Sequence, residues 1–249
     1  MIRRVLTAIA FLTRIPVNPS VPFDGEDVAR ASMFFPAVGC VLALMQWALL
    51  SLLASVGVPA ILQALAATVL LMLLGGGLHQ DGLADMADGF GGAFERDKVL
   101  LIMRDSTIGT YGALALLLSL ATRVSAMVLL ITHDAVLIGL LTAAAVSRCS
   151  IVLGWRLPYA RDEGTGKSVT QLTGPAEVTG AVLFACVVAL LCLGAHAIWV
   201  FVMAGLVFVV MGWICHRKIG GVTGDTLGAT TEVSEVLLLA TVASILSAS

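Results

Sequence analysis

Apolar residues run along this chain in long unbroken blocks. They lie near 34–54, 60–78, 111–131, 135–155, 178–194 and 198–215. A helix needs about 20 apolar residues, with a range of about 17–25, to cross the hydrocarbon core of a bilayer, and each block reaches that length. A seventh, shorter block near 236–248 predicts a tilted or half-crossing helix. The first residues follow another pattern. Ile2, Val5, Leu6, Ile9 and Leu12 recur at helical spacing, with Arg3, Arg4 and Arg14 on the flanks. That pattern predicts an interfacial helix ending before Pro16. Its apolar run from Val5 to Thr13 is short and lacks a small-residue cleavage pattern, so a signal peptide is not expected. The fold expected is all-α: a polytopic integral membrane helical bundle of six to seven transmembrane helices plus the N-terminal interfacial helix. Residues 1–249 form a single domain in this scheme.

The polar residues fall between the blocks, and they alternate. Connectors 55–59, 132–134 and 195–197 are very short, whereas 1–33, 79–110, 156–177 and 216–235 are long and polar. The long ones hold 4, 3, 3 and 2 Lys/Arg, which is 12 of the 14 in the chain. The excess of positive charge places those loops on the cytoplasmic side of the membrane. Counted by loop, the acidic residues follow as 3, 6, 3 and 3, leaving only Asp134 opposite. A transporter needs polar groups reachable from both sides. Here the outer ends carry little beyond His133, Asp134 and His196.

Composition agrees with this picture. Hydrophobic residues make up 59% and charged residues 12%, against about 25% charged in an ordinary soluble domain. The lipid bilayer is the expected partner, nucleic acid is not, and a homo-oligomer is left open. The five cysteines show no C-x-x-C spacing and lie in or beside apolar blocks, as small core residues do.

The candidate chemistry is concentrated from Gly75 to Gly112. Six of the sixteen acidic residues lie there. Asp81, Asp85 and Asp88 are spaced i, i+4, i+7, which puts them within an arc of about 60° on one helix face. Three carboxylates on one face repel one another and attract hard cations such as Mg²⁺, Mn²⁺ or Ca²⁺. Arg104, Asp105 and Ser106, beside Gly109 and Gly112, suit phosphate oxygens, or cap the helix that opens near 111. The turn Gly220–Gly228 carries Gly224 and Asp225, and its backbone amides suit an anion or a metal-bound phosphate. Arg123 and Arg148 lie inside spans, where each needs a partner. For Arg148 that partner is expected to be the acidic cluster or a substrate phosphate. Arg161 is a candidate anion contact. Gly164–Ser168 mimics the end of a phosphate-binding loop, but that pattern needs glycine at 161, so it is rejected. His79 could serve as a general base, a phosphate donor or a plain hydrogen-bonding residue.

These parts fit Mg²⁺-dependent transfer of a substituted phosphoryl group. The membrane-bound CDP-alcohol phosphotransferases use a D-G-x-x-A-R pattern. Asp81-Gly82-Leu83-Ala84-Asp85 is shorter and lacks the arginine, so that likeness is only chemical. A closer one covers nearly the whole chain. H-x-D-G-L-A-D-x-x-D-G (79–89), I-M-R-D-S-x-I-G-T-Y-G (102–112), P-Y-A-R (158–161), G-V-T-G-D-T-L-G-A (221–229) and T-R-I-P (13–16) resemble the cobalamin-5′-phosphate synthase family, also called adenosylcobinamide-GDP ribazoletransferases. The resemblance implies an inner-membrane, Mg²⁺-dependent enzyme with its active site facing the cytoplasm. Its substrates would be adenosylcobinamide-GDP and α-ribazole or α-ribazole 5′-phosphate, with GMP leaving. It implies Asp81, Asp85, Asp88 and Asp225 as Mg²⁺ ligands, directly or through water. Arg104, Arg148 and Arg161 would hold diphosphate oxygens, with Ser106 and Gly224 beside them. Asp105 would be a ligand or would fix Arg104, and His79 a catalytic group. The motifs assign no residue to the dimethylbenzimidazole ring.

Overall fold

A computed structural model describes residues 1–17, 24–161 and 165–247. Gly164 of the rejected phosphate-loop mimic lies outside the described residues. Among the described residues the secondary structure is helical, with one isolated bridge in place of strands. The helices are α1 (Ile2–Leu12), α2 (Gly25–Ala31), α3 (Phe35–Ser55), α4 (Ala60–Gly75), α5 (Leu78–Gly92), α6 (Arg96–Ile102), α7 (Thr110–Thr132), α8 (Val136–Gly154), α9 (Thr165–Leu172), α10 (Pro175–Leu193), α11 (Ala197–Ile219) and α12 (Gly224–Ser247).

Two helices form the centre. α8 and α12 pack on each other and are the most buried of the apolar helices. α3 and α10 lie against α8, whereas α5, α7 and α11 lie against α12. The outer helices turn large apolar side chains outward, such as Leu117, Leu191, Val209 and Trp213. Apolar surface all round a helix belongs in lipid. Five apolar helical stretches are long enough to cross a membrane, or six if the α4–α5 pair is one span. One stretch, Pro175–Ile219, has 45 residues, about twice what one crossing needs. A 3-10 turn at Gly194–His196 breaks it into α10 and α11, as the short connector expected there requires.

The 60–78 block does not run straight into the acidic segment. Gly76 and Gly77 take φ of 64° and 70°, a region costing other residues about 1–2 kcal/mol each. The backbone N–H groups of Gly77 and Arg14 donate to the carbonyls of Met72 and Leu74, closing the end of α4. α5 leaves at 89° to α4. The acidic segment is therefore an ordered helix wedged between α7 and α12.

The last block differs from expectation. The helix begins at Gly224, twelve residues earlier than the apolar pattern marks, and runs 24 residues. Thr223 and Thr226 start it with reciprocal bonds: the Thr223 N–H donates to Thr226 Oγ1 at 2.8 Å, and the Thr226 N–H to Thr223 Oγ1 at 3.2 Å. This reciprocity satisfies first-turn donors as a capping box does. Glu232 and Glu235, counted above as loop charges, consequently lie inside the bundle at 0% and 3% exposure.

Their burial is balanced by arginines. Arg123 donates to Glu235 Oε1 at 2.7 Å and to Glu232 Oε1 at 3.0 Å. Arg148 donates to Glu235 Oε2. Ser119 and Gln80 donate to the two oxygens of Glu232 at 2.7 and 2.6 Å. Two guanidinium groups thus meet two carboxylates, tying α5, α7, α8 and α12 together. A buried charge is tolerable only when paired and hydrogen-bonded in this way.

Candidate active site

Two distant loops are joined by a short bridge. The Ala160 N–H donates to the Val222 carbonyl and the Val222 N–H to the Pro158 carbonyl, both at 2.8 Å, so Tyr159 pairs in parallel with Val222. Arg96 clamps the pair, donating to the carbonyls of Ala160 at 2.6 Å and Ile219 at 3.1 Å. The next side chains out meet: Arg161 Nη2 donates to Asp225 Oδ2 at 2.7 Å. Arg161 Nε is buried and has no hydrogen-bond partner among the described residues.

The acidic helix is brought to the same place by Gly82. A Cβ there would stand 2.5 Å from the Asp225 carbonyl oxygen, so the close crossing of α5 and α12 requires glycine. Asp81, Asp85, Asp88, Asp225 and Arg161 then share one electrostatic neighbourhood. Asp81 is exposed and Asp85 half-buried. Neither carboxylate hydrogen-bonds to another described residue. Among the described residues, no three His, Cys, Asp or Glu side chains converge into a ready-made metal cage.

Asp88 is occupied differently. Its Oδ2 accepts the Gly109 N–H at 2.7 Å and its Oδ1 the Gly112 N–H at 2.8 Å. These are donors at the opening turn of α7, so Asp88 caps a helix other than its own. Asp88→Ala should therefore lower stability by about 1–3 kcal/mol, read as a lower melting temperature in detergent. An unchanged melting temperature would contradict the capping role.

A cleft of about 160 Å³ opens beside these groups, lined by His79, Asp81, Gly224, Asp225, Phe11 and Trp155. His79 Nε2 is buried and has no hydrogen-bond partner among the described residues. A second cavity of about 230 Å³ shares Phe11, Trp155 and Gly224 and extends past Arg161. Arg104 is exposed and lies within electrostatic reach of Tyr159 on that cavity's wall. Asp105 and Ser106 are exposed on the same loop. The Thr107 N–H donates to Asp105 at 2.9 Å and holds its carboxyl below the usual carboxylate range.

Not every candidate arrives here. Arg148 is 2% exposed, buried behind His79 with Glu235 as its partner rather than the aspartates. Gln80, Ser119, Glu232 and Glu235 had no assigned role in the sequence reading, although the structure makes them the polar interior that anchors α5. The threonines at 223 and 226 were the available signal, because their spacing marks a helix start before Glu232. Phe11 and Trp155 gave no signal at all, since aromatic residues at helix ends are ordinary packing.

Comparison with known proteins places this geometry. A family model described as cobalamin-5-phosphate synthase matches residues 4–243. A Rhizobium etli protein named adenosylcobinamide-GDP ribazoletransferase is 38% identical, over 96% of this chain and 95% of its own length. A Sinorhizobium medicae protein of the same name is 40% identical with the same coverage. One from Clostridium tetani, also of that name, is 32% identical over 94% of this chain and 93% of its own. No solved structure matches. The motif segments that meet around Asp225 thus lie inside one continuous match, and the chain belongs to the cobalamin-5-phosphate synthase family, transferases of cobalamin biosynthesis.

Proposed function

We propose that this chain transfers the cobinamide-phosphoryl group of adenosylcobinamide-GDP to α-ribazole or α-ribazole 5′-phosphate. The observation that carries this reading is that Asp81 and the Arg161-paired Asp225 line one cleft, with Asp85 in their electrostatic neighbourhood. A ribose oxygen of the acceptor forms a new bond to the cobinamide-bound phosphorus. The bond from that phosphorus to the bridging oxygen breaks, and GMP leaves with the bridging oxygen. His79, which lines the cleft, takes the hydroxyl proton. Arg161 and the exposed Arg104 hold diphosphate oxygens, with Ser106 and the Gly224 backbone beside them.

The donor set fits Mg²⁺. That ion keeps several waters and takes one or two carboxylates plus substrate phosphates, not an all-protein cage. Asp81 and Asp85, whose carboxylates hydrogen-bond to no other described residue, together with Asp225 would hold it. When bound it neutralises charge developing on the diphosphate. Asp88 acts by fixing α5 against α7. The cleft faces the cytoplasm of a bacterial inner membrane, in line with the clustering of Lys/Arg in the long loops.

The test uses purified protein in detergent with both substrates. EDTA should reduce GMP release to background, and added Mg²⁺ should restore it. Release that persists in EDTA would overturn the metal assignment. Failure of every acceptor to give GMP would overturn the activity.

A further inference from the structure

We infer that the 230 Å³ cavity beside the cleft holds the flat bicyclic base of the acceptor nucleoside. This rests on the activity proposed above and extends it to a subsite that no motif assigns.

The cavity is lined mainly by aromatic and aliphatic groups, with Asp24, Tyr159 and Arg161 as its polar members. Phe11 from α1 and Trp155 from the end of α8 contribute rings, and Val28 from α2 and Val169 from α9 also line the cavity. Phe35 locks the rings from behind. It stacks on Phe11 at 5.5 Å between centroids and 10° between planes, and meets Trp155 edge-on at 5.5 Å and 69°. Phe35 is 0% exposed and Trp155 4%. A platform already fixed by packing loses little freedom when a flat ring settles on it.

The cavity also connects to the chemistry. Phe11, Trp155 and Gly224 belong to both hollows, and Asp225 follows directly. A side chain at Gly224 would meet nothing within 4 Å, so the passage is open there. Arg161 lines the cavity and reaches to Asp225. A molecule with an apolar bicycle at one end and a ribose hydroxyl at the other would span the two hollows, its base in the cavity and its hydroxyl beside Asp81 and Asp225.

Two aromatic bases take part in the proposed reaction, and the walls choose between them. Guanine carries donors and acceptors on its edge that must be satisfied when buried. On this wall Asp24 commits one carboxylate oxygen to the Asp27 N–H at 2.9 Å, and Arg161 is engaged with Asp225, so few polar groups face a base edge. Dimethylbenzimidazole presents two methyl groups instead, and these match Val28 and Val169.

Val169 gives a two-sided test because it can be enlarged or reduced without changing polarity. Val169→Phe should raise KM for α-ribazole about tenfold, the order one misfitting group produces, and leave KM for adenosylcobinamide-GDP unchanged. Val169→Ala should raise kcat/KM for ribosides of bulkier bases relative to α-ribazole. An unmoved donor KM shows that the variant is folded. A rise in KM for adenosylcobinamide-GDP alone would assign the cavity to guanine and overturn the inference, as would no change in either KM. Direct titration of wild-type protein and Val169→Phe with α-ribazole, without donor, separates the claims. If wild type neither transfers to nor binds α-ribazole or α-ribazole 5′-phosphate, the proposed activity falls. If wild type does both and Val169→Phe binds α-ribazole as tightly, only the cavity assignment falls.

Discussion

Asp81→Asn and Asp85→Asn are each expected to cut turnover by about a hundredfold or more, the scale on which removal of one electrostatic group from a reacting centre is felt. Neither change should harm the fold. Asp81 is exposed and Asp85 half-buried, and neither carboxylate holds another described residue by a hydrogen bond. Removing one like charge from a crowded acidic face relieves repulsion, so the melting temperature should stay level or rise. Wild-type and variant proteins should elute identically in detergent, and GMP release should separate them. Near-wild-type turnover in both variants would remove the α5 carboxylates from the chemistry. The contrast with Asp88 is informative, because Asp88→Ala should act first on stability through the α7 N–H groups it accepts.

Arg123→Met should have the largest effect on stability. Arg123 is fully buried and serves Glu232 and Glu235 at once. Without it Glu232 keeps only the neutral donors Ser119 and Gln80, and Glu235 keeps only Arg148. Breaking a buried pair by removing one partner costs about 3–5 kcal/mol, because the remaining charge stays desolvated. Activity should fall indirectly, since Gln80 ties α5 to Glu232 and thereby sets where Asp81 and Asp85 stand. The triple variant Arg123→Met, Glu232→Gln, Glu235→Gln should recover part of the lost melting temperature. A melting temperature unaffected by Arg123→Met alone would show that the network does not hold the bundle.

Much of the architecture was legible because lipid imposes a length on apolar helices. The boundaries of α3, α7 and α8 fall within two residues of the apolar blocks at 34–54, 111–131 and 135–155. The block reading failed where a helix carries its polar residues inward. Glu232 and Glu235 broke the apolar run, so the start of α12 looked like loop. In the structure their charges are met by arginines from α7 and α8, a pairing between distant segments that local hydropathy does not carry. The same limit governs Arg148, expected to meet the acidic cluster or a substrate phosphate and found instead on Glu235 of α12.

The site divided along similar lines. The i, i+4, i+7 spacing of Asp81, Asp85 and Asp88 correctly implied a shared helix face, because helical geometry is local. It could not show that Asp88 turns its oxygens to the start of α7. The approach of Arg161 to Asp225 depends on a backbone bridge between Tyr159 and Val222, far apart in the chain, and the approach of the acidic helix depends on Gly82 letting α5 close on α12. Only the folded chain supplies those contacts.

The most direct test of the central claim is product identity in a single-turnover mixture. Purified protein, adenosylcobinamide-GDP, α-ribazole and Mg²⁺ are combined, and products are resolved by mass. The account predicts GMP and adenosylcobalamin in equal amounts, both lost in Asp81→Asn. GMP formed equally well without acceptor, or GDP in its place, would contradict it.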